Sequence, residues 1–563
     1  MSAPTVSTPP VPFRSLTPRL PGRIIIGVAL TAIVVTRVLM RLEEPPRPFN
    51  DVALCNLVTM GLGFIILLTL WGWFSFRSTY PRLVRLLGLL SPIVPIVIFA
   101  PGVGVLRVEE VNGDMIPTRF AFRWTLRHDQ ALAQVETSPA APAIDLKTTT
   151  PDDFPQFLGP ARSAWLPGPK LAREWKSQPP KLLWKKPIGA GWSAFAAVNG
   201  YAVTQEQRGE SEWVACYEIA TGNPVWGHSI IARHENPLGG IGPRATPTIH
   251  QGRVYTLGAT GMLHCLDGGT GRVIWQEDLL ARFGGGMTQA EFEALVQWGY
   301  SGSPLIVDSR VVVPGGGKTA EAKNLVAFQA ETGKVVWEAT CPRPLGGTEQ
   351  IAYASPALAT VAGVRQILIV NEGTASGHDA ATGQCLWSHE WPGHSNTDAS
   401  SSQAVAVGED RVLLSKAYSG GAELLRLTPA ADSKELTLES VWKNPRVLQT
   451  KFTNLVIYQD HAYGLSEGIL ECVSLADGQR RWKRTRGRYG NGQILGVGDL
   501  LLVISEQGRL ALVELNPAEF KELDTIQALD GKSWNNLCLY GNRLLLRNSQ
   551  EAACYELPLE ARQ

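Results

Sequence analysis

An eight-bladed, all-β propeller preceded by three transmembrane helices is the fold this sequence predicts, and three observations carry it. Five eleven-residue phrases close on a tryptophan: CYEIATGNPVW at Trp226, CLDGGTGRVIW at Trp275, AFQAETGKVVW at Trp337, GHDAATGQCLW at Trp387 and CVSLADGQRRW at Trp482. Eight strand openings of similar build recur through the back two-thirds of the chain. The front holds three apolar runs long enough to cross a bilayer as helix.

In each phrase Gly222, Gly271, Gly333, Gly383 or Gly478 stands four residues before the tryptophan, follows Thr or Asp, and is flanked by short apolar runs. A hairpin whose glycine takes the left-handed turn conformation has this pattern. The tryptophan then falls on the strand after the turn, where one large flat side chain packs blade against blade. The openings are SAFAAV at Ser193, ATPTI at Ala245, SGSPLIV at Ser301, YASPALA at Tyr353, SSQAVAV at Ser401, FTNLVI at Phe452, NGQILGV at Asn491 and WNNLCLY at Trp534. The fifth unit ends at Trp442, the seventh has no closing tryptophan, and the eighth, RLLLRNSQEAACYEL, runs out before a fourth strand. LLWKKPI around Trp184 precedes the first opening and has no blade of its own, so joining it to the eighth unit closes the ring and removes the exposed sheet edges.

The apolar runs are Ile24 to Met40, Val52 to Phe76 and Leu86 to Leu106. Arg37 lies near the end of the first, where a long side chain snorkels to the interface, and Pro92, Pro95 and Pro101 kink the third. The first run sits far from the N-terminus and lacks a small-residue cleavage site, so a retained helix is expected and not a signal peptide. Arg14, Arg19 and Arg23 before the first span, with Arg77, Arg82 and Arg85 around the second-to-third loop, outweigh Arg41 and Arg47 of the other loop, which Glu43, Glu44 and Asp51 offset. That bias predicts a cytoplasmic N-terminus and a multi-pass inner-membrane protein with its propeller in a periplasm-like space. The predicted organisation is a tail over 1–23, a three-helix region over 24–106, an extended tether over 107–151, which contains ETSPAAPAIDLKTTTP, and the propeller over 152–563.

Composition excludes several classes. With 52 basic and 51 acidic residues and no long basic run, nucleic acid is not an expected partner. No CxxC, CxxCH or Cys/His metal spacing occurs, so no metal site and no c-type haem are expected. Cys216, Cys265, Cys472 and Cys554 occupy equivalent positions in different blades, too far apart to bridge, while Cys55 lies in a span and Cys385 in a blade hairpin; buried apolar filler is the expected role for most of the eight, not a disulfide framework. GGGK at Gly315 to Lys318 lacks the spacing of a phosphate loop and reads as a turn.

The five tryptophan phrases resemble the docking motif of pyrroloquinoline-quinone (PQQ) type propellers, a group that holds quinoprotein alcohol and glucose dehydrogenases together with a non-enzymatic outer-membrane assembly lipoprotein. DFPQFLGPARS at Asp153, LLWKKPIGAGWS at Leu182, TQEQRGE at Thr204, GGIGPRATPT at Gly239 and TLGATGMLHCLD at Thr256 are similar to bacterial membrane-anchored PQQ-like repeat proteins. The resemblance implies fold, since the motif concerns blade packing and not chemistry. A PQQ enzyme of this kind would need an aromatic floor, cationic partners, an oxygen-ligated calcium beside a catalytic aspartate and, by the resemblance, a disulfide between adjacent cysteines. This chain has no adjacent cysteines, and no Glu, Asn and Asp set aligns onto the calcium site.

A candidate site is expected at the channel mouth, where the first strands begin. Trp192, Arg244, Tyr300, Tyr353, Asp398, Lys451, Tyr489 and Trp534 stand at or just before the openings, one per blade. A planar anion such as PQQ could stack on these aromatics and pair with Arg244 and Lys451; the alternative is that the same side chains plug the channel. Gln205, Glu206 and Arg208 of TQEQRGE, with Asn371 and Glu372, read as a second polar group or as exposed turns. The insertion FGGGMTQAEFEALVQWGY holds a Thr288–Glu291 capping box before an amphipathic helix with Phe292, Leu295 and Val296, a cover for the channel or inert edge. Two functions follow: a binding or protein-interaction scaffold with a protein or small-molecule ligand at the propeller face, or a PQQ-dependent dehydrogenase that oxidises an alcohol or sugar and passes electrons to membrane quinone.

Overall fold

In a computed structural model, residues 18–560 are described apart from 43–45, 47, 50, 100–103, 134, 136–142, 296, 317–322, 342–352, 372, 393–399, 419 and 431–434. The chain divides into two compact units, one ending at Thr125 and one beginning at Leu126.

The first unit holds helices α1 (Leu20–Leu39), α2 (Val52–Arg77), α3 (Arg82–Leu90) and α4 (Ile93–Phe99). Three stretches, Leu20–Leu39, Val52–Arg77 and Arg82–Phe99, are long and apolar enough to cross a membrane. The third is broken between α3 and α4 around Pro92, whose ring and missing N–H interrupt the helical ladder as expected. Arg37 does not snorkel away: its guanidinium donates to Asn56 Oδ1 at 2.8 Å and Thr59 Oγ1 at 2.7 Å on α2, and Asn56 Nδ2 donates to the Asp114 carbonyl at 2.9 Å. A charge on an apolar helix is thus met by polar groups of its neighbour. Residues 107–151, expected as an extended tether, instead begin with a hairpin of β1 (Leu106–Val111) and β2 (Pro117–Phe122). Within the second unit, α5 (His128–Ala131), Val135 and Leu146 follow, and Val135 and Leu146 are buried in apolar clusters of blade one.

The propeller has the eight expected sheets. Blade one runs Ala196–Val198, Tyr201–Arg208, Ser211–Glu218 and Pro224–Ile231, and five more four-stranded antiparallel sheets follow through Arg480–Lys483. Blade seven (Gln493–Val497 to Glu522–Gln527) gains a short parallel strand, Trp165–Leu166, on its inner edge. Blade eight takes Lys181–Pro187 as its outer strand, antiparallel to Glu551–Glu556 with Trp184 opposite Cys554, so the segment without a blade of its own closes the ring.

Five docking indoles lie on the turn glycine of the next blade. A Cβ at Gly222, Gly271, Gly333, Gly383 or Gly478 would stand 2.5–2.6 Å or 2.7 Å from the ring of Trp184, Trp226, Trp275, Trp337 or Trp442, and all five glycines have φ between 66° and 76°. Glycine is therefore required twice, for the left-handed turn and for the close approach. Indole N–H groups of Trp184, Trp226, Trp275, Trp442 and Trp482 donate to carbonyls of Ile219, Gly268, Ala330, Leu475 and Asn516 at 2.8–3.0 Å. Trp387 departs from the pattern. It shares the register of the others, opposite Gly377, but that glycine leaves room for the ring to fold over its own sheet, where Nε1 donates to Gln366 Oε1 at 2.6 Å.

One expectation about cysteine is corrected: Cys341 and Cys385 form a disulfide with Cα atoms 5.4 Å apart, joining the exit of blade three to the outer strand of blade four. These two cysteines do not occupy equivalent positions in their blades, since Cys341 follows a strand and Cys385 begins one. Cys216, Cys265, Cys472 and Cys554 are free and buried, as apolar filler requires.

Docking yields a paired prediction. Gly271→Ala meets both the strained φ and the Trp226 ring, and should cost about 3–5 kcal/mol, whereas Gly363→Ala has a similar φ of 74° with nothing within 4 Å and should cost about 1–2 kcal/mol. Thermal unfolding of the two detergent-solubilised variants is expected to show the larger midpoint drop for Gly271→Ala.

Candidate functional site

The first strands converge on the axis, and their openings are tied by a ring of buried hydrogen bonds. Ala194 N donates to Thr246 Oγ1, Thr246 N to Ser303 Oγ, Ser303 N to Ser355 Oγ, Tyr353 N to the Ser400 carbonyl and Gln403 N to Asn454 Oδ1, all at 2.9–3.3 Å. Gln493 Nε2 then bridges the carbonyls of Phe452 and Trp534, and Asn535 Nδ2 returns to the Ser193 carbonyl at 2.8 Å. Direct backbone bonds cross between some blades, from Trp192 N and Ser193 N to the Pro243 carbonyl and from Tyr353 N to Ser400, and elsewhere a short hydroxyl or amide reaches across to satisfy the buried groups. That need is what places a small polar residue at each opening. Arg547 of blade eight adds a tie to blade one, donating to Thr204 Oγ1, the Gln205 carbonyl and the Gly189 carbonyl at 2.7–2.9 Å.

The axis is filled from the end away from the mouth. The segment from Phe154 to Leu166, which contains DFPQFLGPARS, bridges Ala197 of blade one and pairs with Gly496 and Val497 of blade seven, late positions of first strands. Buried Arg162 donates to the carbonyls of Ser303 and Pro304 at 2.9 and 2.7 Å, and its own carbonyl accepts from Gln403 Nε2. Burial pulls this guanidinium down to about 9 from its ordinary value.

At the mouth, the candidates are partnered with one another. Trp192 and Trp534 stand 4.9 Å apart between ring centroids, Phe452 lies 4.8 Å from Trp534, and Lys532 Nζ sits 4.8 and 4.0 Å from the two indole rings. Trp534 Nε1 donates to buried Glu506 at 2.8 Å. On the other side, Trp192 Nε1 and Arg244 Nη2 both donate to the Gly239 carbonyl, at 2.5 and 3.4 Å, and Arg244 Nη1 reaches the Gly242 carbonyl at 3.0 Å. Burial lowers Arg244 to about 10, with Tyr353 opposing the shift. The Tyr353 hydroxyl accepts from the Trp298 backbone at 3.4 Å, and Lys451 faces Glu467 at 4.0 Å and the Tyr418 ring at 5.2 Å.

Two tyrosines of the predicted set belong elsewhere. Tyr300 is buried among the apolar residues of blades two and three, its ring stacked on Phe292 at 5.1 Å and its hydroxyl directed to the Gly315 carbonyl. Tyr489 is fully buried and donates to Glu522 on the outer strand of blade seven. Asp398, Glu372 and Val296 lie outside the described residues. Gln205 and Glu206 are not exposed turn groups: Gln205 donates to the Ala245 carbonyl at 2.7 Å, and Glu206 accepts from Gly189 N, Arg208 Nε and the Tyr217 hydroxyl at 2.7–2.9 Å. Asn371 is buried likewise. The capping box is present, with Thr288 N donating to Glu291 Oε2 at 2.8 Å and Glu291 N to Thr288 Oγ1 at 3.3 Å. Helix α7 (Gln289–Leu295), which follows α6 (Leu279–Phe283), packs through Phe292 on Tyr300 and through Glu293 beside His234, whose burial lowers it to about 3. Sequence reasoning missed Lys532, Glu506 and Arg162, because nothing in a single sequence says which charged residues a ring will turn inward.

A planar tricarboxylate such as PQQ would need the space between the aromatics and cations available to it. Here Lys532 stands against both indole rings, and Arg244 is spent on backbone carbonyls. The residues present do not fit that group.

Glu212 supplies a pH-dependent term. Its carboxylate is buried between blades one and two, accepts from Ala259 N at 3.1 Å, and is raised to about 7 from 4.5 by burial, which that hydrogen bond partly opposes. The folded protein holds this proton more tightly than the unfolded chain, so the contribution is full below pH 4.5 and is lost as pH rises toward 7. Unfolding midpoints at pH 5 and pH 8 are expected to differ less in Glu212→Gln than in the wild type, a relative gain at pH 8 on the order of 2–3 kcal/mol.

Residues 210–484 match the family described as outer membrane protein assembly factor BamB. Over 106 residues, 18% of the chain, the sequence is 35% identical to part of an alcohol dehydrogenase (quinone), dehydrogenase subunit, of Komagataeibacter europaeus, covering 14% of that protein. A subunit of the same description from Gluconacetobacter polyoxogenes is 35% identical over 95 residues, 12% of its length, so the chain matches only a small part of these relatives. Among solved structures, BamB from Moraxella catarrhalis is similar over 67% of this chain and 100% of its own, with a TM-score of 0.46 and 16% identity. Quinohemoprotein alcohol dehydrogenase from Comamonas testosteroni is similar over 74% of this chain and 82% of its own, with a TM-score of 0.49 and 11% identity.

Proposed function

We propose that this PQQ-like repeat propeller is a membrane-anchored binding module that presents its loop face to a protein partner outside the cytoplasm. The observation that carries the reading is the self-occupied axis: Phe154 to Leu166 fills one end, and at the other Lys532 lies against Trp192 and Trp534. A propeller whose axis is taken up by its own chain offers its rim loops for recognition, not its channel. The match of residues 210–484 to the BamB description supports the same reading. The compartment is supported by the Cys341–Cys385 disulfide, a bond that persists in oxidising spaces, and by the basic residues Arg19, Arg23, Arg77, Arg82 and Arg85, which favour a periplasmic propeller on an inner-membrane anchor.

The second reading, a PQQ-dependent dehydrogenase feeding membrane quinone, is favoured by the identity to quinone-type alcohol dehydrogenase subunits over about a fifth of the chain. Full-length protein in detergent separates the two. With PQQ and calcium added, calorimetry is expected to register no binding heat, and no alcohol or sugar is expected to reduce an artificial electron acceptor. Reduction, or a PQQ-dependent change in the visible spectrum, would reverse the assignment. A benzophenone side chain at Ile231, which is 87% exposed at the end of blade one's outer strand, is expected to give a discrete adduct in irradiated cells.

A further inference from the structure

The hairpin β1–β2 in the first unit is amphipathic with the period of a strand. Leu106 pairs with Phe122 and Val108 with Phe120, which puts these four side chains on one face. The Trp124 ring stacks on Phe122 with centroids 4.9 Å apart and an interplanar angle of 13°. The opposite face is ionic: Arg107 pairs with Glu109 at 2.8 Å and Arg119 with the same carboxylate at 3.4 Å. Burial is inverted relative to a hairpin that packs on a protein core. Phe120, Phe122 and Trp124 are 49%, 51% and 71% exposed, while Arg107 and Glu109 are largely covered.

An isolated two-stranded hairpin is marginal in water, so an apolar face of this size needs a cover. Continuity says what the cover is. The Phe99 ring, on the last residue of an apolar stretch long enough to cross a membrane, lies 5.8 Å from the Phe120 ring, and Val105 N donates to the Val97 carbonyl at 2.9 Å. Arg123 fixes the same corner, its Nε donating to the Gly104 carbonyl at 2.8 Å. The apolar face therefore begins where the third apolar stretch ends, at the depth where a bilayer gives way to water. Phe and Trp with flanking arginines suit that boundary, since aromatic rings settle at the headgroup level while guanidinium groups meet lipid phosphates.

We propose that residues 106–124 form a membrane-interface anchor, a hairpin lying on the bilayer surface on the propeller's side with Leu106, Val108, Phe120, Phe122 and Trp124 in the lipid and Arg119, on the opposite face, toward water. The proposal is independent of what the propeller binds and rests on the apolar helices crossing a bilayer.

Full-length protein in phosphatidylcholine nanodiscs, carrying one environment-sensitive fluorophore on an introduced cysteine, tests it; the native free cysteines are buried, and unlabelled wild type gives the background. At Phe122→Cys and Trp124→Cys the emission is expected to be blue-shifted and to lose roughly half its intensity or more when doxyl-labelled lipid is included, with little loss at Arg119→Cys. Leu67→Cys, 65% exposed on α2, reports the span itself. Quenching at position 67 without quenching at 122 and 124 overturns the anchor alone and gives the face to protein or solvent. Equal quenching at 119 and 122 overturns the assigned orientation, and no quenching at any position overturns the anchor together with the spans.

Discussion

The contact between an indole and the turn glycine of the following blade is the interaction on which the rest of this structure depends. It fixes the distance between neighbouring outer strands, and because the glycine must be both left-handed and free of a Cβ, the contact is specific in a way that general apolar burial is not. Its failures are instructive. Blade five has no turn glycine ahead of Trp442, so Trp387 has no seat on it and folds over Gly377, and the Cys341–Cys385 bond joins blades three and four beside this junction. Blade seven contributes no docking tryptophan toward blade eight, and there the chain relies on an apolar cluster that runs from Leu502 and Leu512 through Leu545 to Phe195 and Trp175.

Closing a ring from the outside creates a problem at the inside. First strands of neighbouring blades meet near the axis at a spacing that no ladder can satisfy, and their buried backbone groups need partners. The chain answers with the hydroxyls of Thr246, Ser303 and Ser355 and with the amides of Asn454, Gln493 and Asn535. Arg162 extends the same solution across the axis, bringing the segment after Phe154 into contact with blades three and five at once. An axis closed in this manner is rigid and largely self-satisfied, which directs recognition to the loops around it.

Much of this was legible in order of residues. The turn glycines, the closing role of the strand around Trp184, the capping box at Thr288 and the break near Pro92 each follow from a local rule that acts within a few residues. Of the mouth residues, Trp192, Trp534, Arg244 and Tyr353 do gather around two adjoining contacts, whereas Tyr300 and Tyr489 occupy equivalent sequence positions and turn between blades. A position in a repeat specifies where the backbone passes; it does not specify the rotamer, which is set by whether the neighbouring blade leaves space.

By itself the sequence determined the repeat, the number of blades, the direction of closure and the apolar helices, since all of these are encoded as periodic patterns that any copy of the motif must obey. Only the tertiary structure decided which charges face the axis, that DFPQFLGPARS fills it, that Cys341 meets Cys385, and that residues 106–122 form a hairpin with an exposed aromatic face. Those outcomes depend on contacts between residues tens to hundreds of positions apart, which meet only once the ring has closed or the chain has turned back on itself.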